Sequence, residues 1–330
     1  MYGRAFDPAF WEGLWREAAR SSPVVRRDRW GPEGEVADWD RRAEGYARQS
    51  QSAESRAWRA EVLRWLAARG ALGPKFRVLD IGAGPGSFAV PMAARVRQVT
   101  ALEPAAGMVA ILHRRQQERS LRNLRVVQRS WGEVELERER WAGAFDLVFA
   151  SMSPGVDGPE ALERMNRASR RFCYLSGWSG ELWGQWGQAR SELWPLLFGE
   201  PQGSYPHDVL YVFGLLYERG FRPELRFRWR ESSRDLEPEQ AERELGLLFE
   251  RYTPLSPAVR RRIGRYVRER TRGGRFRQSA AQCQGFLLWE VEPGLSAPGA
   301  RERTRAALRP RSRRLADGRH PGSASRNPPR

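Results

Sequence analysis

With 330 residues, 40% of them hydrophobic, the chain can build one core of roughly 200 to 250 residues plus additions, and its alternating strand and helix patterns read as α/β. Two cysteines provide no disulfide framework and three histidines make a His-rich metal site a poor expectation, so no metal is expected. No apolar run approaches a membrane span and Met1 to Asp7 lacks a signal-type apolar segment, so a cytoplasmic protein with no membrane partner is expected.

The net charge of +17 suggests nucleic acid, but its distribution argues otherwise. Residues 297–330 hold ten arginines against Glu302 and Asp317, about half of the excess. The whole chain has one lysine, Lys75, against 56 arginines, a skew of composition more than of phosphate contacts. A solvated Arg-rich surface is the favoured reading. Residues 293–330 are too poor in large apolar side chains to offset their ordering entropy and are expected to be a disordered Arg/Pro-rich tail.

Residues 1–75 read as a helical N-terminal cap. A helix from Pro8 to Ala19 carries Phe10, Trp11 and Leu14 at helical spacing, and a stretch from Glu35 to Arg69 carries Trp39, Ala43, Tyr46, Trp58, Val62 and Trp65. Arg77 to Phe88 then reads as a strand, a tight loop and a helix start, with Asp80 followed by Gly82, Gly84 and Gly86. Glycine tolerates φ > 0 and lets a ligand lie against backbone, while the N–H groups of the next helix face the same spot. A phosphate-binding P-loop would need Lys-Ser/Thr after the last glycine, and a dinucleotide fingerprint would need a glycine where Ser87 stands. A second strand, Gln98 to Leu102, ends at Glu103, whose carboxylate can accept from both hydroxyls of a ribose. Leu124 to Gln128 is a third strand, followed by Ser130 and Trp131. Phe145 to Ser151 is a fourth, and Arg171 to Ser176 a fifth.

The Asp80-x-Gly82-x-Gly84-x-Gly86 spacing, the acid after the second strand and the Phe145-Asp146-Leu147-Val148 opening of the fourth resemble the class I S-adenosylmethionine-dependent methyltransferases. The resemblance implies a Rossmann-like seven-stranded sheet of order 3-2-1-4-5-7-6 with strand 7 antiparallel, in a domain over residues 76–292. It implies S-adenosyl-L-methionine as cofactor. Asp80, Gly82, Ala83, Gly84 and Gly86 would hold its methionine part and Glu103 its ribose, while Pro104, Met108, Ser130, Trp131 and Ala150 would line the adenine and methyl regions. Trp131 is equally readable as a core tryptophan, and Tyr46 as a pocket residue or plain packing against Trp39.

After the fourth strand the chain has Ala150-Ser151-Met152-Ser153-Pro154, without the Asp/Asn-Pro-Pro-aromatic motif of many nitrogen methyltransferases. Neither Cys173, in the fifth strand, nor Cys283 suits the nucleophile of cytosine-C5 methylation. Residues 177–220 are crowded with aromatics, from Trp178 and Trp183 to Tyr217, and read as a substrate insertion or as an amphipathic cap packed on the core. His207, before a helix Asp208 to Arg219, and Tyr46 are candidate general bases. Phe221 to Trp229 and Gln284 to Val291 read as strands six and seven, with an inserted helical segment at 237–272. The expected activity is methyl transfer to a small molecule. RNA or protein methylation, using the tail, and a non-catalytic binding module are the alternatives.

Overall fold

A computed structural model describes residues 7–29, 31–180, 186–203 and 205–291. The expected tail, and Trp183, lie outside them.

One mixed sheet organises these residues, with strands in the order β3-β2-β1-β4-β5-β8-β6. β1 (Arg77–Ile81), β2 (Gln98–Leu102), β3 (Leu124–Val127), β4 (Phe145–Ser151) and β5 (Ser169–Ser179) run parallel. β8 (Arg275–Glu290) lies antiparallel between β5 and β6 (Glu224–Leu236). The expected order therefore holds with one amendment. A two-residue strand β7 (Thr271–Arg272) pairs with the start of β8, so the sheet has eight strands and the antiparallel one is the eighth.

The last two long strands run well past their expected bounds, β6 to Leu236 and β8 from Arg275. β6 is an edge strand whose residues are mostly exposed or half-buried. Burial imposes little alternation on such a strand, so residues 230–236 carry no strand pattern of their own.

Period-2 alternation sorts the sheet's side chains onto two faces. Leu79, Ile81, Val148, Ala150, Leu175, Leu287 and Trp289 join one core. It is covered by α8 (Pro159–Ala168) and α10 (Val209–Glu218), with Trp15 of α1 (Pro8–Ser21) added from outside. Val78, Leu147, Phe149, Tyr174, Phe286 and Leu288 join the other, under α4 (Ala53–Ala68) and α5 (Ala89–Ala93). Tyr174 stacks on Phe149 there at 4.4 Å and 6°.

A third core unites α9 (Gly187–Phe198), α11 (Pro238–Glu250) and α12 (Pro257–Arg270) with the far ends of β6 and β8, through Trp194, Leu245, Phe249, Val267, Leu236 and Phe276. Trp178, Trp186, Trp194, Phe198 and Tyr205 of the aromatic-rich 177–220 region belong to this core, and Tyr211 and Phe213 pack on the first. A fourth, small cluster seats α3 (Gly31–Gln49) on α6 (Ala106–Glu118) through Ala43, Ala47, Met108 and Ile111. The two short remaining helices are α2 (Pro23–Arg26) and α7 (Leu136–Glu139).

The expected Glu35 to Arg69 stretch is two helices. It breaks after Gln49, where Ser52 takes the N-cap of α4 by accepting from the Ser55 N–H. At the opposite end of the sheet from the glycine loop, Asp146 accepts from Arg77 N at 2.7 Å and from Arg170 Nε and Nη2 at 2.9 and 2.7 Å. The aspartate of the Phe-Asp-x-Val opening is thus a tie across three strand starts.

Candidate active site

Strand order reverses between β1 and β4, and a crevice opens there beyond the carboxyl ends of the strands, the usual ligand position in open α/β sheets. The glycine loop forms its floor. Gly82, Gly84 and Gly86 have φ of +70°, +54° and +81°. The loop has no room for side chains at two of the three. A Cβ on Gly82 would lie 2.2 Å from Ser153 Oγ, and one on Gly86 2.3 Å from Leu112 Cδ1. Gly84 has only the ring of Tyr46 nearby, at 4.0 Å, so its backbone faces open space.

The loop is tied to β2 by its own amides. Gly82 and Ala83 donate to Leu102 O, and Gly84 donates to Glu103 Oε2 at 2.8 Å. The other Glu103 oxygen accepts from Ala105 N at 3.0 Å. Glu103 is 7% exposed, and burial pushes its carboxyl above the usual range against those two hydrogen bonds. Asp80 lies deeper. Burial first, and the Glu103 charge second, push its carboxyl up to about 8, although Ala89 N–H donates to it. Its Oδ2 is buried without a hydrogen-bond partner.

A cavity of about 420 Å³ fills the crevice. Of the expected ligand residues, Gly82, Gly84, Glu103, Pro104, Met108, Ser130 and Trp131 line it, as does Tyr46. Asp80, Ala83, Gly86 and Ala150 stand behind the lining. Trp131 is 2% exposed and wedged into the core. Its Nε1 donates to Ala161 O at 3.1 Å, and the Arg164 guanidinium lies 5.6 Å from its ring centroid. Ser130 is fixed by a capping box with Glu133.

The cavity roof comes from α3. Tyr46 meets Trp39 edge to face at 5.5 Å, and both line the space. Arg115 of α6 holds the roof to the floor by donating to Pro85 O at 2.7 Å and Ala47 O at 3.2 Å. Close packing adds to this, since a Cβ on Gly107 would sit 3.1 Å from Ala43 Cβ.

The wall beyond β4 went unforeseen. Met152 adopts φ +53°, a left-handed turn that directs Ser153, Pro154, Gly155 and Asp157 along the cavity. Glu35, from the second turn of α3, lines the same space, and burial pushes its carboxyl up, with Asp28, Asp157 and Asp38 opposing Arg251. No sequence motif marks these acids; only the packing of α3 over the β4 loop brings them together.

Neither candidate base is well placed for that role. Burial raises the Tyr46 phenol, so it keeps its proton at neutral pH. His207 is absent from the lining and sits behind Asp157, where burial lowers its pKa and its Nδ1 lacks a hydrogen-bond partner. Asp208 is the N-cap of α10, accepting from Leu210 N at 2.8 Å. Both cysteines are buried, and burial pushes the Cys173 thiol up.

The decisive comparison falls on the strands that build the floor: residues 78–172 match the model of a methyltransferase domain. Over these strands the chain is similar to methyltransferases. Two curated proteins are similar to parts of this chain. A Haemophilus influenzae protein described as uncharacterized is 28% identical over 153 residues, 46% of this chain and 52% of that one. The 23S rRNA (uracil(1939)-C(5))-methyltransferase RlmD of Pseudomonas fluorescens is 33% identical over 120 residues, 36% of this chain and 25% of that one. The chain thus spans about half the length of the first relative and a quarter of the second. Among solved structures, the YcgJ protein of Bacillus subtilis covers 69% of this chain and 97% of its own at 14% identity, TM-score 0.45. Magnesium protoporphyrin IX methyltransferase of Synechocystis PCC 6803, with bound SAH, covers 80% and 98% at 16% identity, TM-score 0.44. Among the described residues, no helix is long and apolar enough to cross a membrane and no group of side chains has metal-ligand spacing.

Proposed function

We propose that the chain binds S-adenosylmethionine in this cavity and transfers its methyl group to a small-molecule acceptor. One observation carries the reading. Gly82 and Gly84 of the loop, the Glu103 carboxylate and the carboxyl end of β4 open into a single cavity of about 420 Å³, within the range of roughly 300–1,000 Å³ usual for small-ligand sites. The residues fit the cofactor. Gly84 presents bare backbone, Glu103 offers carboxylate oxygens for a ribose diol, and Asp80 keeps an unpartnered oxygen just beneath the loop.

Bound there, the cofactor supplies a methyl carbon made electrophilic by its sulfonium. The protein's work is to hold an acceptor lone pair in line and keep water out. α3 with Trp39 and Tyr46 supplies the cover. An acceptor that must lose a proton finds Glu35 and Asp157 in the wall, and Glu35, its carboxyl raised by burial, is the better-placed base.

RNA methylation is the second reading, favoured by the rRNA-methylating relative. A C5 pyrimidine acceptor calls for covalent activation by a nucleophile, and both cysteines are buried away from the cavity lining. That sets the small-molecule reading ahead.

Calorimetric titration with S-adenosylmethionine, S-adenosylhomocysteine and NADH tests the cofactor, followed by labelled methyl transfer into small-molecule and RNA fractions. Binding of the sulfonium pair with label in the small-molecule fraction is expected. Binding of NADH alone would overturn the cofactor assignment. Label in RNA alone would favour the second reading, and binding without transfer a non-catalytic module.

A further inference from the structure

Six of the nine large apolar side chains exposed among the described residues gather on one flank of the molecule: Phe10, Leu14, Leu210, Tyr217, Phe227 and Trp229. Their common location follows from register and helix geometry. Phe227 of β6 lies opposite Gly285 of β8, and a Cβ on Gly285 would meet Val209 of α10 at 2.4 Å, so Phe227 is on the α10 face of the sheet. Trp229, two residues on and opposite Cys283, shares that face. In α10, Val209, Val212 and Leu216 face the sheet, Gly214 faces Trp11 of α1, and Arg219 just beyond it reaches Glu163 of α8. At 100° per residue, Leu210, Phe213 and Tyr217 turn the opposite way from Arg219, toward β6. Phe213 and Tyr217 stack at 6.0 Å. In α1, Glu12 and Arg16 reach Arg219 and Glu160 on the α8 side, so Phe10 and Leu14 occupy the flank toward β6 as well.

This apolar ledge borders an open sheet edge. β6 pairs only with β8 along its thirteen residues, and its outer side has no strand partner among the described residues. The arginines of β6 do not belong to the ledge. Arg226 and Arg228 stack over Trp65 and Trp58 on the other face, each at 4.5 Å, and Arg230 pairs with Glu54 at 2.7 Å.

We propose that a second copy of this chain docks here, β6 against β6, antiparallel about a two-fold axis through Phe227 and normal to the sheet. Such an axis keeps both ledges on the same side of a continuous sheet. It places Leu225 opposite Trp229 and Glu224 opposite Arg230 of the other copy, so apolar meets apolar and acid meets base. Area supports a homodimer. Trp229 is 74% exposed, Phe227 53%, Tyr217 42% and Phe10 39%. At roughly 200 Å² per covered aromatic these four supply about 400 Å², half of the roughly 800 Å² per partner that a stable interface buries. Leu14, Leu210 and the strand backbone supply the rest. Nucleic acid fits less well: the ledge is largely apolar, the β6 arginines are engaged on the opposite face, and Arg222 at its margin is stacked over Tyr217 at 4.6 Å.

Sedimentation velocity on the full chain, over about a hundredfold range of concentration, tests the proposal. The expected species has twice the chain mass of 37.9 kDa. Trp229→Glu and Phe227→Asp are expected to weaken the dimer at least about tenfold. S-adenosylhomocysteine binding, whose site is elsewhere, serves as the folding control. Tyr217→Lys on the helix surface gives the same readout should the strand variants fail to fold. β6 amides should exchange slowly in the dimer and fast in the variants. A wild-type monomer throughout the range, including one that binds lipid vesicles, overturns the proposal. So does a dimer that Phe227→Asp and Tyr217→Lys both leave intact.

Discussion

Gly84 donates its backbone N–H to the Glu103 carboxylate at 2.8 Å, tying the loop after β1 to the end of β2. One side chain therefore shapes the loop and lines the cavity. Glu103→Ala removes both contributions and should weaken S-adenosylhomocysteine binding by about ten- to a hundredfold, the loss of a charged hydrogen-bond acceptor worth about 1.5–3 kcal/mol. Glu103→Gln, which keeps one acceptor, should lose less. Titration calorimetry separates the two, and equal affinities in all three proteins would remove Glu103 from the site.

Gly82 and Ser153 make a second testable pair. A Cβ at Gly82 would fall 2.2 Å from Ser153 Oγ, at φ +70°. Gly82→Ala should destabilise the fold by about 1–3 kcal/mol through clash and backbone strain. Ser153→Gly in the same chain should recover the steric part and leave the strain, which a double-mutant cycle by urea unfolding would show as coupling.

The buried Asp80 carboxyl gives a pH dependence. Its folded pKa, about 8, lies above the ordinary carboxylate value, so the folded state holds its proton more tightly than the unfolded chain. The stabilising contribution is complete below the ordinary carboxylate range and is lost as pH rises toward about 8. Asp80→Asn should flatten that decline. Unfolding midpoints measured across the window would contradict the assignment if wild type and variant ran parallel.

Gly214 tests the seating of α1. A Cβ there would come within 2.4 Å of the Trp11 indole. Gly214→Ala should cost about 1–3 kcal/mol of stability by overpacking. Cofactor affinity should be unchanged, since neither residue lines the cavity. Thermal unfolding with and without S-adenosylhomocysteine measures both.

What the sequence disclosed follows burial. β1 and β4 are covered on both faces and read as short apolar runs broken only by Asp80 and Asp146, and the three glycines mark a loop with little room for a Cβ. The floor of the cavity was legible for that reason. The edge strand β6, exposed along most of its length, carried no such constraint, and its end at Leu236 was invisible. Trp131 shows the limit for single residues. An indole beside a ligand and an indole in a core look alike in sequence, and only the bond from Nε1 to Ala161 O shows how deeply this one is anchored. Glu35 and Asp157 come from segments more than a hundred residues apart, joined by the packing of α3, which no local pattern encodes.

β8 contributes Phe276 to the outer helical core and Leu287 and Trp289 to the central one. A continuous sixteen-residue strand is a stiff beam, hydrogen-bonded to β6 along thirteen of its positions and to β5 along eight. The outer lobe cannot swing on it without breaking that ladder. The cover of the cavity is α3, which rests on the alanine-lined contact with α6, on Asp40 accepting from Gly107 N at 2.8 Å and on Ala47 O accepting from Arg115. The roof of the cavity is thereby one helix held by few bonds, with the far lobe as fixed masonry.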